Sequence, residues 1–197
     1  MKKLVLLVWL MLPVLVGFYH FGPGQEKALL DGLNMVLAQA DRNAADQDWS
    51  SAEAQYEVAL SLLPNDRTQD AQRIRLEIAK VQMQNKKLPV AHQSLKALVD
   101  ELADDPAADQ PLLAESRAAL ANSQYYMTWL MRLEGQPKDR WEPEIEAARQ
   151  TYRLLAVQAE ELGDTSSAKA NREDLESVIK LARMDLSDLQ GLPLPSQ

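Results

Sequence analysis

The chain has 197 residues and a formal net charge of −8, and 46% of its residues are hydrophobic, with only 7 Gly and 10 Pro. That suits one domain with an extension, affords a core and makes disorder a poor default. The lack of Cys excludes disulfides, thiolate metal sites and Cys nucleophiles and leaves the redox compartment open, while the acidic balance argues against a nucleic-acid partner.

Lys2 and Lys3 precede an uncharged run from Leu4 to Phe21. As a helix, about 18 residues span about 27 Å, just enough for a bilayer core. The same pattern fits the apolar region of a signal peptide. Cleavage signals are poor, because Pro23 sits between Gly22 and Gly24 and the Ala38-Gln39-Ala40 triplet falls inside the next predicted helix. Residues 1–22 are therefore expected to be an uncleaved membrane anchor, with Pro13 kinking it and Trp9, Phe18, Tyr19 and Phe21 in lipid or at an interface. The positive-inside rule puts the N-terminus in the cytoplasm and the rest on the extracytoplasmic side, the periplasm in a bacterium. Without Lys2 and Lys3 the remainder carries −10, which disfavours lying on anionic lipid.

Gln25 to Ala45 reads as a helix with Leu29, Leu33, Val36, Leu37, Ala40 and Ala44 on one side. Asp48 to Asp66 reads as a second. Ser50 and Glu53 have capping-box spacing, Ala52, Tyr56, Ala59, Leu60 and Leu63 form the stripe, and Pro64-Asn65-Asp66 ends it. After a polar connector from Asp66 to Asp70, Gln72 to Gln84 carries Ile74, Ile78 and Val81 in register. Asn85-Lys86-Lys87 turns the chain and Pro89 suits the first turn of the next helix. An acidic loop from Ala103 to Pro111 leads into Leu112 to Glu134, which is apolar nearly all round beyond Ala118 and should be central. Gly135-Gln136-Pro137 ends it. Trp141-Glu142-Pro143 is expected to open the next helix, with Pro143 in its first turn. Asp164 or Thr165 should cap a final amphipathic helix with Leu175, Val178, Ile179, Ala182, Leu186 and Leu189 as one stripe, stopped by Gly191. Residues 191–197 read as an extended, Pro-rich tail.

One pattern repeats. The five stripe offsets of the second helix recur 39 residues on, at Ala91, Leu95, Leu98, Val99 and Leu102, and a further 57 on, at Ala148, Tyr152, Leu155, Ala156 and Ala159. Ala40 lies twelve residues before Ala52 and Ala79 twelve before Ala91. Ala121, the equivalent in the third unit, is further from Ala148, so that unit carries an insertion. Repeating helix pairs are the mark of an α-solenoid, in which stacked pairs bury stripes that no pair can bury alone.

Ala40, Asp48-Trp49, Ala52, Tyr56, Ala59 and Pro64 together resemble the tetratricopeptide repeat. Ala79, Ala91, Leu95 and Leu98 match it more weakly, and the third unit diverges. Val36, Gln39 and Asn43 stand where the first-helix signature would be, and the period exceeds the family's usual ~34 residues. The resemblance covers roughly Leu29 to Glu161. It implies an all-α solenoid of about three helix pairs with a C-terminal capping helix, spanning residues 25–190, and a role as a protein-binding scaffold. In that family the first helix of each pair lines a concave surface. Carried over, this nominates Arg73, Lys80, Met83 and Gln84 from the second unit, with Leu76 beside them, and Asn122, Tyr125, Tyr126 and Trp129 from the third. The cations suit an acidic segment and the aromatics suit anchors. The family's clamp for a free carboxylate is not implied, because Asp41 and Leu37 stand where it needs an amide and a lysine. The other reading of Tyr125, Tyr126 and Trp129 is core packing beside Met127 and Met131.

Nothing in the sequence points to an enzyme, a cofactor or a metal. His20 falls in the expected anchor and His92 reads as a surface residue. Glu142, Glu144 and Glu146 alternate, so one helix face cannot hold all three. The expected partner is a protein or peptide of the cell envelope.

Overall fold

The computed structural model describes Met11 and residues 23–190. The expected anchor (Met11 apart) and the 191–197 tail lie outside the described residues. Among those residues there are eight helices and no strand: α1 (Pro23–Ala45), α2 (Trp49–Leu62), α3 (Thr68–Gln84), α4 (Leu88–Asp104), α5 (Gln110–Leu133), α6 (Lys138–Glu161), α7 (Thr165–Arg183) and the short α8 (Leu186–Gln190). No helix among them is long and apolar enough to cross a membrane. The chain forms two compact units, Met1–Asp66 and Arg67–Gln197.

In the first unit α1 packs on α2. Asp48, not Ser50, is the N-cap of α2: its carboxylate accepts the Ser51 N–H at 3.2 Å. Glu53 therefore lies in the second turn and is buried, which replaces the capping box expected from its spacing. Ala40, Ala52 and Ala59 have no exposed surface, and Tyr56 is buried with its hydroxyl donating to Asp41 Oδ1 at 2.5 Å. Leu60 and Leu63 are only half-buried, so the stripe narrows towards the helix end.

In the second unit consecutive helices pack in succession, α3 on α4, α4 on α5, α5 on α6 and α6 on α7. Short turns join them, so each pair is a helical hairpin. Lys86 and Gly135 turn the chain at φ 59° and 71°, positive values that the Cβ-free Gly135 adopts without strain. One buried cluster holds Leu76, Ala79, Met83, Leu88, Ala91, Leu95, Leu98, Leu102, Leu112, Leu113 and Ala119. Another joins Ala121, Trp129, Ile145, Ala148, Tyr152, Val178, Leu181 and Leu189. The repeat register holds: Ala52, Ala91 and Ala148 are each 0% exposed, and Tyr56, Leu95 and Tyr152 four positions on are 4%, 0% and 4%. The insertion in the third unit is spent on helix length, since α5 and α6 have 24 residues each against 17 for α3 and α4.

Several local expectations shift. Thr68 to Asp70 is already helical rather than connector. α6 begins at Lys138, so Pro143 falls inside it; its missing N–H costs one backbone bond in the second turn. Asp164 is the N-cap of α7, accepting from Ser167 N–H at 3.0 Å. The final helix is two helices, broken at Met184 and Asp185. The break turns Leu189 inward and leaves Leu186 43% exposed, so Leu186 leaves the expected stripe and Leu181 joins it.

Hydrogen bonding from the Ser51 side chain, and then from its backbone N–H, holds the Asp48 carboxyl below its ordinary value, and Ser167 does the same for Asp164. A depressed folded pKa contributes stability above the unfolded value, near 3.8, that is lost as pH falls through the folded value. Replacing both residues with Ala should lower the melting temperature at pH 7 and flatten its decline below pH 4. Truncating Leu95 to Ala should cost about 2–5 kcal/mol in urea unfolding, as a large-to-small core change. The 40%-exposed Leu130 should cost less than about 0.5 kcal/mol on the same change.

Candidate functional site

The first helices of successive pairs, α3 and α5, lie against each other, and charged side chains bridge them. Arg73 pairs with Asp109, just before α5. Lys80 bonds Glu115 of α5 at 2.6 Å and Glu77 of its own helix at 2.8 Å. Burial alone would lower the Lys80 pKa, but the bonds to Glu115 and Glu77 outweigh it and raise it. Arg75 and Gln72 reach back to Glu101 of α4, at 2.6 and 2.7 Å. The two cations nominated for an acidic partner thus already hold carboxylates of this chain.

The other nominated residues divide. Met83 is 7% exposed and belongs to the core cluster. Trp129 is 5% exposed, and its Nε1 has no hydrogen-bond partner among the described residues. Gln84, Asn122, Tyr125 and Tyr126 are half-buried. Tyr125 meets Tyr126 edge-on at 5.4 Å between centroids and Trp129 at 6.4 Å. The α5 aromatics therefore come together, whereas Arg73 and Lys80 of α3 hold acidic groups and Met83 is core.

Beside these aromatics stands Asp174 of α7. Burial raises its pKa, with Glu173 adding to the effect. Burial also raises Tyr126, with Asp174 adding to it, and lifts Tyr152 further. Towards the N-terminal ends of α5 and α7 the structure opens into a cavity of about 730 Å³. Its apolar lining includes Ala114, Ala118, Leu155, Ala159, Leu162 and Ala170, with Glu115, Arg117, Glu161 and Asp164 among its polar groups. That volume is in the range of ligand pockets. Small Ala side chains on both walls keep it open.

Two polar features escaped the sequence. Arg132, 8% exposed, donates to the backbone carbonyls of Leu181 and Met184 and stacks 4.8 Å from the Trp141 ring. It thereby satisfies carbonyls left over at the end of α7. The signal was present: Arg132 is the lone charge between Leu120 and Leu133. His92 is not a surface residue. Its side chain is 14% exposed, its Nδ1 lies 3.1 Å from Ser123 Oγ and its Nε2 lies 3.7 Å from Glu144. Ser123 is fully buried and donates to the Leu120 carbonyl at 2.7 Å, so this Ser–His–Glu series joins three helices.

The alternating glutamates separate as their spacing requires. Glu142 pairs with Lys138 at 3.0 Å and Glu144 faces His92. Glu146 grips Arg149 at 2.6 and 2.8 Å, which with Gln150 holds its carboxyl down to about pKa 2. No group of His, Cys, Asp and Glu among the described residues could hold a metal ion. No protein-family model and no curated protein matches the chain.

Reversing both cations, Arg73→Glu with Lys80→Glu, should lower stability by roughly 0.5–2 kcal/mol, since exposed pairs are worth about 0.2–1 kcal/mol each. Denaturant titration at low and high salt checks this, and the loss should shrink in high salt.

Proposed function

We propose that the chain is a non-catalytic scaffold, anchored in a membrane by residues 1–22, that holds a partner protein or peptide outside the cytoplasm on the inner face of a tetratricopeptide-like stack. The observation that carries the reading is the cavity of about 730 Å³ among α5, α6 and α7, walled by Ala114 and Ala118 of α5, the helix that also carries the half-buried Tyr125 and Tyr126. An apolar slot of that volume suits a groove that takes an extended or helical segment. The same-register alanines in three hairpins support the repeat assignment, and the lysines ahead of the apolar run support the orientation. Binding is attributed to α5 and α7 more than to Arg73 and Lys80, whose charge is spent within the chain. The other reading is a signal-cleaved soluble periplasmic binding protein with the same groove.

Crosslinking in intact membranes followed by affinity capture tests the scaffold. A defined envelope protein should be recovered with the unchanged chain and reduced at least fivefold by Ala118→Trp, which fills the slot. Recovery indifferent to that substitution would remove the groove from the account. N-terminal sequencing of the purified protein separates the two readings: Met1 at the start keeps the anchor, and a start at Gln25 or beyond favours the soluble form.

A further inference from the structure

The cavity is a slot bounded by three helices. Ala114 and Ala118 of α5 wall one side, Ala170 of α7 walls the other, and Leu155 and Ala159 of α6 floor it. Both walls stand on that floor, since α5 and α7 each pack on α6. From Gln110 to Ala118 the open stretch of α5 is about 12 Å long at ~1.5 Å per residue, just over two helical turns. Further along, Ala121 is fully buried and Tyr152 is 4% exposed, so the slot ends there. Its charges are unevenly placed. Glu161 and Asp164 stand at the outer end, flanking Leu162, which is 85% exposed. Glu115 also lines the slot but already holds Lys80. Arg117, at the inner end, is the one cation among the described residues that line it, which leaves two carboxylates against one cation.

We propose that the slot takes a cationic amphipathic helix of a partner protein, about two turns of it, with an apolar seam against the alanines and Lys or Arg facing Glu161 and Asp164. The proposal rests on reading the cavity as the binding groove and names the chemistry of what fills it. The first support is backbone accounting. Walls made of helices have spent their own backbone groups, so they offer no ladder of free N–H and C=O to an extended segment, whereas a helix brings its backbone bonds with it. The second is size. Where the chain's own helices meet most closely the residue is alanine: Ala79 and Ala91 share one buried cluster, and Ala121 and Ala148 another. Ala114 and Ala118, one turn apart, and Ala170 opposite present the same small surface to the slot, half-buried or exposed, where a further helix axis can come close. The third is charge. Without Lys2 and Lys3 the chain carries −10, and the slot mouth holds two carboxylates, so an acidic occupant is repelled and a basic one is drawn in.

Two fluorescein-labelled model peptides with the same apolar seam and opposite charge, KLAKLAAKLAK-amide and ELAELAAELAE-amide, are titrated into the full-length chain in a non-ionic detergent. By anisotropy the cationic peptide should bind saturably and about tenfold more tightly than the anionic one, and it should gain helical circular dichroism as it binds. Ala118→Trp should abolish the binding. Glu161→Lys, at an exposed residue, should weaken it roughly fivefold, as loss of a close charge pair does. Glu57→Lys, the same charge change at an exposed residue of the first unit, should leave it unchanged. Leu162→Ser should weaken it with an unaltered melting temperature, which keeps the test decisive if Ala118→Trp misfolds. Equal affinity for the two peptides, no binding of the cationic one, binding without gained helicity, or binding indifferent to Glu161→Lys and Leu162→Ser each overturns the proposal. Sedimentation velocity of the chain alone is the last arm. Self-association that Leu162→Ser removes would give the slot to a second copy and overturn the proposal, whereas a monomer leaves the slot open as required. Capture from membranes reads something different. A captured protein without cationic-peptide binding sinks the helix chemistry alone, and peptide binding with nothing captured sinks the scaffold alone.

Discussion

The structure depends on how closely two helices can approach when the residue at their crossing is alanine. Ala40, Ala52, Ala79, Ala91, Ala121 and Ala148 each have no exposed surface, and each lies in the packed part of a hairpin. Helix axes approach most closely where the side chains between them are smallest, and interiors at crystal-like density leave no slack for an added methylene. The larger residue one turn on, Tyr56, Leu95 or Tyr152, fills the space opened as the helices diverge. From that alternation follow the pairing and the orientation of each stripe. The same small side chain leaves a void wherever no neighbour closes over it, as Ala114, Ala118 and Ala170 do at the cavity.

This arrangement was largely legible in the residues, because a hairpin's inner stripe is local information. Spacing alone located the Ala–Tyr/Leu positions, the Pro89 start and the Gly135 turn, and narrowed the α7 cap to Asp164 or Thr165. The misses share a cause. Ser50 and Asp48 are both good N-caps, and only the path of the chain at Ala45 to Asp48 decides between them. Pro143 looked like a first-turn residue because proline prefers that position; α6 begins earlier because its long packing face against α5 repays one lost backbone bond. The final helix looked continuous because its apolar period runs on through Leu189, whereas α7 ends where Arg132 collects its carbonyls.

The nominated site was legible in part. The α5 aromatics were found because they are clustered in sequence. The fate of Arg73 and Lys80 was not, because it is set by Asp109 and Glu115, more than thirty residues away and brought alongside only when α5 packs next to α3. The cavity itself has almost no sequence signature, being made of alanines, the commonest helix formers. His92 was misread for the same reason: its neighbours Ser123 and Glu144 come from two other helices.

Arg132 carries a consequence of its own. Its clasp on the Leu181 and Met184 carbonyls ends α7 on neutral backbone acceptors. The caps at Asp48 and Asp164 rest instead on carboxylates held below their ordinary value. Acid would therefore loosen the chain first where a carboxylate opens a helix, at the starts of α2 and α7.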